Sequence, residues 1–180
     1  EKGYEEEFRF YRGGWTALEN KAVPGPCRPA DKPRGLNLLF TGTLSESTGV
    51  FRAIRLADSL HKVSPNVTLT VAGYAAASDV QLKIRQETTG KSFIHLVGIE
   101  KLVPHGEILS MISKADAGIL AYRKLPHTAN SVPTKLFEYL QASLPIIVES
   151  HWPWVTRFAT CSPFVFADLE NLDSQAIINA

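Results

Sequence analysis

From Leu36 onward, short apolar runs alternate with segments of helical periodicity, and this alternation constrains the fold more than any other feature. The runs of strand composition are 36–40, 67–72, 93–97, 117–121, 144–148 and 164–166. The segments with helical character are 50–60, 79–87, 108–115, 133–142, 153–159 and 174–179. Strands that are apolar on both faces are typical of a parallel sheet covered by helices on both sides. Right-handed crossovers then predict an α/β, doubly wound, Rossmann-like domain.

The chain before this alternation has a different character. Residues 1–19 combine a charged start with a short apolar piece, and residues 20–35 are rich in prolines and glycines, which break regular structure. We interpret 20–35 as a linker or long surface loop. A length of 180 residues with 44% hydrophobic content allows one domain with a real core and an appendage.

Composition and spacing exclude several classes of function. A net charge of +1 gives no basic field, so nucleic acid is not expected as a partner. Neither Cys27 and Cys161 nor the five histidines show the spacing of a metal site or a disulfide framework. No apolar run approaches the length of a membrane span, and the acidic start at 1–7 is unlike a signal peptide. We therefore expect a cytoplasmic location.

The segment 130–148 carries the strongest functional signal. It predicts a loop, a helix that begins at a proline, and a buried strand. The first N–H groups of a helix lack partners and favour anions, so the backbone of 131–134 predicts a phosphate site. Lys135 opposes the helix dipole there unless it serves a ligand. Glu138 would accept hydrogen bonds from neighbouring hydroxyls such as those of a ribose, although most helical glutamates are simply exposed. Together these residues indicate a nucleotide site.

Further candidates follow other strands, whose carboxyl ends meet at one edge of the predicted sheet. Gly42-Thr43 would approach a phosphate, or form only a tight turn. Gly73 and Gly98 would leave space for a base or ribose, or simply end their strands. Arg123-Lys124 would clamp a phosphate, or belong to a solvated basic loop. There is neither a Gly-x-Gly-x-x-Gly fingerprint nor a P-loop sequence.

Several motifs occur in the order seen in group 1 glycosyltransferases, which have the GT-B fold. They are Phe40-Thr-Gly-Thr-Leu44, Val71-Ala-Gly73, Val97-Gly98, His105-Gly-Glu-Ile108, Ala115-Asp-Ala-Gly-Ile119 and Pro133-Thr-Lys-Leu-Phe-Glu-Tyr139. The region 36–170 resembles the C-terminal, donor-binding domain of that family. The resemblance implies that 1–35 is a remnant of the N-terminal domain plus the interdomain linker. It implies that 36–180 is the nucleotide-sugar-binding domain, truncated at its end.

The resemblance also assigns roles to residues. Glu138 would hold the donor ribose, the backbone of 131–134 the diphosphate, and Gly42-Thr43 the phosphates or sugar, with the base beside Gly98. The implied donor-binding residues are Gly42, Thr43, Gly73, Gly98, Arg123, Lys124, Asn130, Ser131, Val132, Pro133, Thr134, Lys135 and Glu138.

The sequence departs from the family at three positions of the donor site. Asn130 replaces the first glutamate of the Glu-x7-Glu motif, which usually contacts the transferred sugar. Thr43 and Thr48 replace an arginine and a lysine that are common in the family. Positive charge for the leaving diphosphate must then come from Lys135, Arg123 or Lys124.

The implied activity is transfer of a sugar from a nucleotide diphosphate sugar to an acceptor hydroxyl, without a cofactor or a metal. The expected partners are the nucleotide sugar and the N-terminal domain of the same enzyme. Relatives that dock on membranes do so through that N-terminal domain, so a peripheral membrane contact is compatible with the resemblance. We expect the 180-residue chain alone to bind nucleotide without turnover. Two alternatives remain: half of a nucleotide-sugar epimerase, and a non-catalytic interaction module on the same scaffold. An epimerase needs acidic and histidine catalysts that face the sugar, and Asn130 supplies neither.

Overall fold

The computed structural model describes residues 35–126, 128, 132–158 and 164–179, and these form a six-stranded parallel sheet with helices on both faces. The strands are β1 Leu36–Thr43, β2 Val67–Tyr74, β3 Ile94–Ile99, β4 Ala117–Leu120, β5 Ile146–Val148 and β6 Phe164–Phe166. The helices are α1 Val50–Val63, α2 Ser78–Thr88, α3 His105–Lys114, α4 Thr134–Gln141, α5 Val155–Phe158 and α6 Ser174–Asn179. The predicted α/β, Rossmann-like fold class is confirmed.

The strand order is β3-β2-β1-β4-β5-β6, and all neighbouring strands are parallel. The chain winds outward from β1 to β3, returns through α3, and then winds the other way from β4 to β6. The direction of winding therefore reverses between β1 and β4. Parallel open sheets bind ligands in the crevice at the carboxyl ends of the strands at this point.

Alternate residues of the strands feed two separate hydrophobic cores. Leu38 and Phe40 of β1 contribute to a core that includes Leu60 of α1, Ile84 of α2 and Ile177 of α6. The opposite face has a second core, which α3, α4 and α5 cover. Its helical members are Ile108, Ile112, Leu136, Tyr139 and Val155. Since successive side chains of a strand point to opposite faces, the continuous apolar runs of the sequence supply both cores.

The element boundaries differ from the sequence prediction mainly at α3 and α4. The predicted helical segment 108–115 begins earlier in the structure, with His105 as the first residue of α3. Pro133, predicted to begin a helix, is the cap residue before α4, with extended backbone angles. The predicted domain remnant and linker, 1–35, lie outside the described residues except for Gly35. None of the helices in the described ranges combines the length and the apolar character needed to cross a membrane.

Candidate functional site

Lys135, the second residue of α4, lies at the reversal point between β1 and β4. Its side chain is buried, with 5% of the residue exposed. The ammonium nitrogen Nζ is 4.7 Å from the ring centroid of Phe40 in β1 and 5.3 Å from that of Tyr122, which follows β4. Nζ has no hydrogen-bond partner in the described part of the chain. The structure therefore holds a cation among two aromatic faces and leaves its hydrogen-bond donors unused.

Burial has a direct electrostatic consequence for this lysine. Desolvation lowers the pKa of Lys135 from 10.5 to about 8, and the Glu138 carboxylate partly opposes that shift. Close to neutral pH the ammonium is thus still charged, but the protein solvates it poorly.

Gly42 makes the room that Lys135 occupies. A β-carbon at position 42 would lie 2.9 Å from Nζ and 3.0 Å from Cε of Lys135, and the backbone φ of Gly42 is +106°. Gly42 pairs with Gly73 of β2, which pairs with Gly98 of β3, so the three glycines form one row near the carboxyl edge. The row accommodates close backbone packing, because a β-carbon on Gly73 would lie 1.8 Å from the Gly42 carbonyl oxygen.

Glu138 lies one helical turn after Lys135 and is in contact with α3. Its Oε1 atom is 3.2 Å from Nε2 of His105, and about a third of its side chain is exposed. The glutamate is therefore neither buried nor turned wholly to bulk water. His105 was not among the predicted site residues, because no other histidine or cysteine lies at ligand spacing from it in the sequence.

The hydroxyl residues of the β1–α1 loop lie at the same edge. Thr43 is exposed at the end of β1. Thr48 donates its hydroxyl to the backbone oxygen of Thr43 at 2.8 Å and accepts from the backbone N–H of Ser45 at 3.1 Å. The hydroxyl of Thr48 thus stabilises the loop between β1 and α1 through hydrogen bonds within that loop.

Arg123 and Lys124 are exposed in the loop after β4. Arg123 donates from Nη1 to Oε1 of Glu46 at 2.7 Å. Both residues line a cavity of about 320 Å³ together with Glu149 and His151. Their charges therefore face acidic groups as well as solvent.

The remaining predicted residues frame the start of α4. Val132 is half-buried against the second core, Pro133 is buried, and Thr134 is exposed. Asn130 and Ser131 lie outside the described residues. The structure thus places Gly42 against Lys135 at the sheet edge, and Glu138 one turn further along α4 in contact with His105.

Arg52 of α1 and Glu149, directly after β5, form a buried ion pair that sequence reasoning missed. Arg52 donates from Nη1 to Oε2 of Glu149 at 3.0 Å and to the carbonyl oxygens of Ala121 at 3.2 Å and Tyr122 at 3.1 Å. Its Nε lies 3.1 Å from Oε1 of Glu170, close enough for an ion pair but without the alignment of a hydrogen bond. The pair fixes the backbone that leads from β4 towards α4.

Comparison with known proteins gives matches at the level of structure. No family model and no curated protein matches the sequence. The C-terminal domain of the group 1 family glycosyl transferase LpcC from Francisella tularensis superposes with a TM-score of 0.54 at 19% identity, over 87% of this chain and 74% of that one. WaaG, a glycosyltransferase involved in lipopolysaccharide biosynthesis, superposes with a TM-score of 0.55 at 17% identity, over 82% of this chain and 37% of that one.

A third similar structure contains a ligand. It is described as trehalose-6-phosphate from E. coli bound with UDP-2-fluoro glucose, and it superposes with a TM-score of 0.60 at 12% identity. The match covers 81% of this chain and 36% of that chain. The chain therefore spans about a third of the longer enzymes and most of the isolated C-terminal domain. It has the fold of the C-terminal domain of a GT-B glycosyltransferase, as the resemblance predicted.

Proposed function

We propose that this domain binds a nucleotide diphosphate sugar and is the donor-binding half of a glycosyltransferase that moves the sugar to an acceptor hydroxyl. The observation that carries the proposal is the Lys135 ammonium, which is buried at the reversal point of the sheet without a hydrogen-bond partner among the described residues. Burying a charge without partners costs several kcal/mol. A bound diphosphate would give this cation its missing acceptors and offset that cost.

The spacing of Lys135 and Glu138 fits the chemistry of a nucleotide. Residues three apart lie on the same side of a helix, with β-carbons roughly 5–6 Å apart. A ribose is joined directly to the diphosphate, so a cation for phosphate and a carboxylate for ribose hydroxyls belong next to each other. The bound UDP-2-fluoro glucose in the similar E. coli structure supports this class of donor.

The same groups would assist the reaction. As the bond between the sugar and the diphosphate breaks, negative charge develops on the departing phosphate. Lys135 and the N–H groups at the start of α4 would stabilise that charge. The helix start and the lysine would replace a metal ion, so the proposal requires neither a metal nor an organic cofactor.

Calorimetry of the 180-residue chain with UDP, GDP and ADP tests the proposal. We expect at least one nucleotide to bind, and Lys135→Met and Glu138→Ala each to weaken that binding by about 10- to 100-fold, as expected for lost hydrogen bonds to charged groups. Lys114→Met is a matched control, because Lys114 is exposed in the last turn of α3. Absence of binding to all three nucleotides would contradict the proposal. Turnover of a nucleotide sugar by this chain alone would contradict the assignment of acceptor chemistry to another domain.

A non-catalytic interaction module is the second candidate. It is favoured by Thr43 and Thr48, which stand where the family commonly has an arginine and a lysine, and by the use of Thr48 to close its loop. A module of this kind has no need of a charged crevice. The module hypothesis therefore predicts that Lys135→Met leaves the interactions of the chain unchanged, whereas the donor-site proposal predicts loss of nucleotide binding.

A further inference from the structure

His105 and Glu138 meet across two helices, although 33 residues separate them in the chain. His105 begins α3, which follows β3, and Glu138 lies in α4, which follows β4. Nε2 of His105 and Oε1 of Glu138 are 3.2 Å apart, within hydrogen-bond distance. The other carboxylate oxygen, Oε2, accepts no hydrogen bond from the residues that the structure describes. One oxygen is thus oriented by the protein while the second remains an acceptor.

A role in stability gives no account of this pair. The side chain of His105 is 68% exposed and that of Glu138 is 32% exposed. Exposed ion pairs contribute little to stability, because water screens them and both side chains lose freedom. The contact is better explained by its effect on the carboxylate. A glutamate side chain loses rotamer freedom on binding, and a partner that orients it beforehand reduces this entropic cost.

We infer that His105 is a positioning residue that orients Glu138 to recognise the vicinal hydroxyls of a ribose. The inference rests on the proposed function and names its substrate class as ribonucleoside diphosphates in preference to 2′-deoxy forms. In the arrangement it requires, Nε2–H donates to Oε1 of Glu138. The carboxylate then accepts hydrogen bonds from the two ribose hydroxyls. A 2′-deoxyribose offers one hydroxyl fewer and gains less from a fixed carboxylate.

The test measures selectivity for ribose rather than affinity alone. The dissociation constants of the best-binding nucleoside diphosphate and of its 2′-deoxy counterpart are measured by calorimetry on the 180-residue chain. For the unchanged protein we expect a preference for the ribose form of about tenfold or more, the size of one hydrogen bond to a charged group. His105→Ala should lower this preference several-fold through weaker binding of the ribose form, with little change for the deoxy form.

Two conservative variants separate positioning from packing. His105→Gln carries an amide N–H at a position similar to Nε2 and should restore the preference. His105→Asn carries its amide closer to the backbone, cannot reach Glu138 in the same way, and should behave like His105→Ala. His95→Ala is the control, because His95 is an exposed histidine in β3. Unfolding midpoints of all variants verify that each is folded.

The outcomes distinguish this inference from the proposed function. If no nucleotide binds to the unchanged chain, the proposed function fails and the inference with it. If nucleotides bind but His105→Ala weakens the ribose and deoxy forms equally, or weakens neither, the proposed function stands and His105 has no role in reading the ribose. Rescue by His105→Gln but not by His105→Asn supports the inference.

Discussion

A single ammonium group decides the character of the candidate site. Lys135 lies between Phe40 and Tyr122, and Gly42 leaves space for its Nζ. The two rings offer favourable electrostatic contacts but cannot replace the hydrogen bonds that the ammonium has in water. The buried charge of Lys135 therefore lowers the stability of the domain. Sites arranged for binding often have this opposition between stability and function.

Replacement of Lys135 with methionine should make the ligand-free domain more stable at pH 7. Methionine fills the same space between the aromatic rings without a charge to desolvate. The lowering of the pKa from 10.5 to about 8 corresponds to a gain of at most about 3 kcal/mol in the free energy of unfolding at pH 7. Urea denaturation at pH 7 measures it, with Lys114→Met as the exposed control that should change stability little.

The stability gain of Lys135→Met should depend on pH between about pH 8 and pH 10.5. The folded domain releases the Lys135 proton near pH 8, whereas the unfolded chain holds it to about pH 10.5. Unfolding between these values takes up a proton, so the unchanged protein becomes more stable as pH rises through the window. The advantage of Lys135→Met should therefore shrink from pH 8 towards pH 10. An advantage that stays constant across this range, or a destabilised variant at pH 7, would show that Lys135 is not desolvated as described.

At the scale of elements, the order and type of the strands and helices could be predicted because their patterns are local. The start of α3 could not be predicted in this way. Helical periodicity is recognised from apolar residues, and none precedes Ile108 in the segment Pro104, His105, Gly106 and Glu107. The candidate site was partly predictable. The conflict between Lys135 and the helix dipole is visible in the sequence, whereas its burial depends on Phe40 and Gly42, which are distant in the chain.

Gly49 links two elements and offers a test of how tightly they pack. It has φ +87° before α1, and a β-carbon there would lie 1.8 Å from the carbonyl oxygen of Ala121 after β4. Gly90 has a similar φ of +76° but no atom within 4 Å of such a β-carbon. Gly90→Ala should cost only the backbone penalty of about 1–2 kcal/mol. Gly49→Ala should cost clearly more, about 3 kcal/mol or above, because overlap adds to that penalty.

Denaturant unfolding of the two variants separates conformational strain from overlap. Both glycines adopt a left-handed backbone, so the difference between the two costs reports the contact with Ala121. Equal costs would mean that α1 and the end of β4 can move apart without loss. The close packing inferred at the reversal point would then be wrong.

At the scale of the whole molecule, Arg52 joins segments that are distant in sequence. It contacts the end of β4, Glu149 after β5 and Glu170 after β6 from its position in α1. The sequence could not reveal this, because helical periodicity identifies a buried face by its apolar residues, and a buried arginine depends on a partner 97 residues away. Both charges are largely removed from water, with side-chain exposures of 6% and 9%.

A double-mutant cycle on Arg52 and Glu149 should therefore show strong coupling. Arg52→Met or Glu149→Leu alone removes one charge of the buried pair, which typically costs about 3–5 kcal/mol, whereas removal of both charges is often close to neutral. The double variant should thus be more stable than either single variant. The Arg85–Glu100 pair is the control, because its side chains are 52% and 53% exposed and its coupling should stay below about 1 kcal/mol. Urea denaturation of both cycles provides the comparison. Additive costs at Arg52 and Glu149, or equal coupling in the two cycles, would mean that the buried pair does not hold the segments around the crevice together.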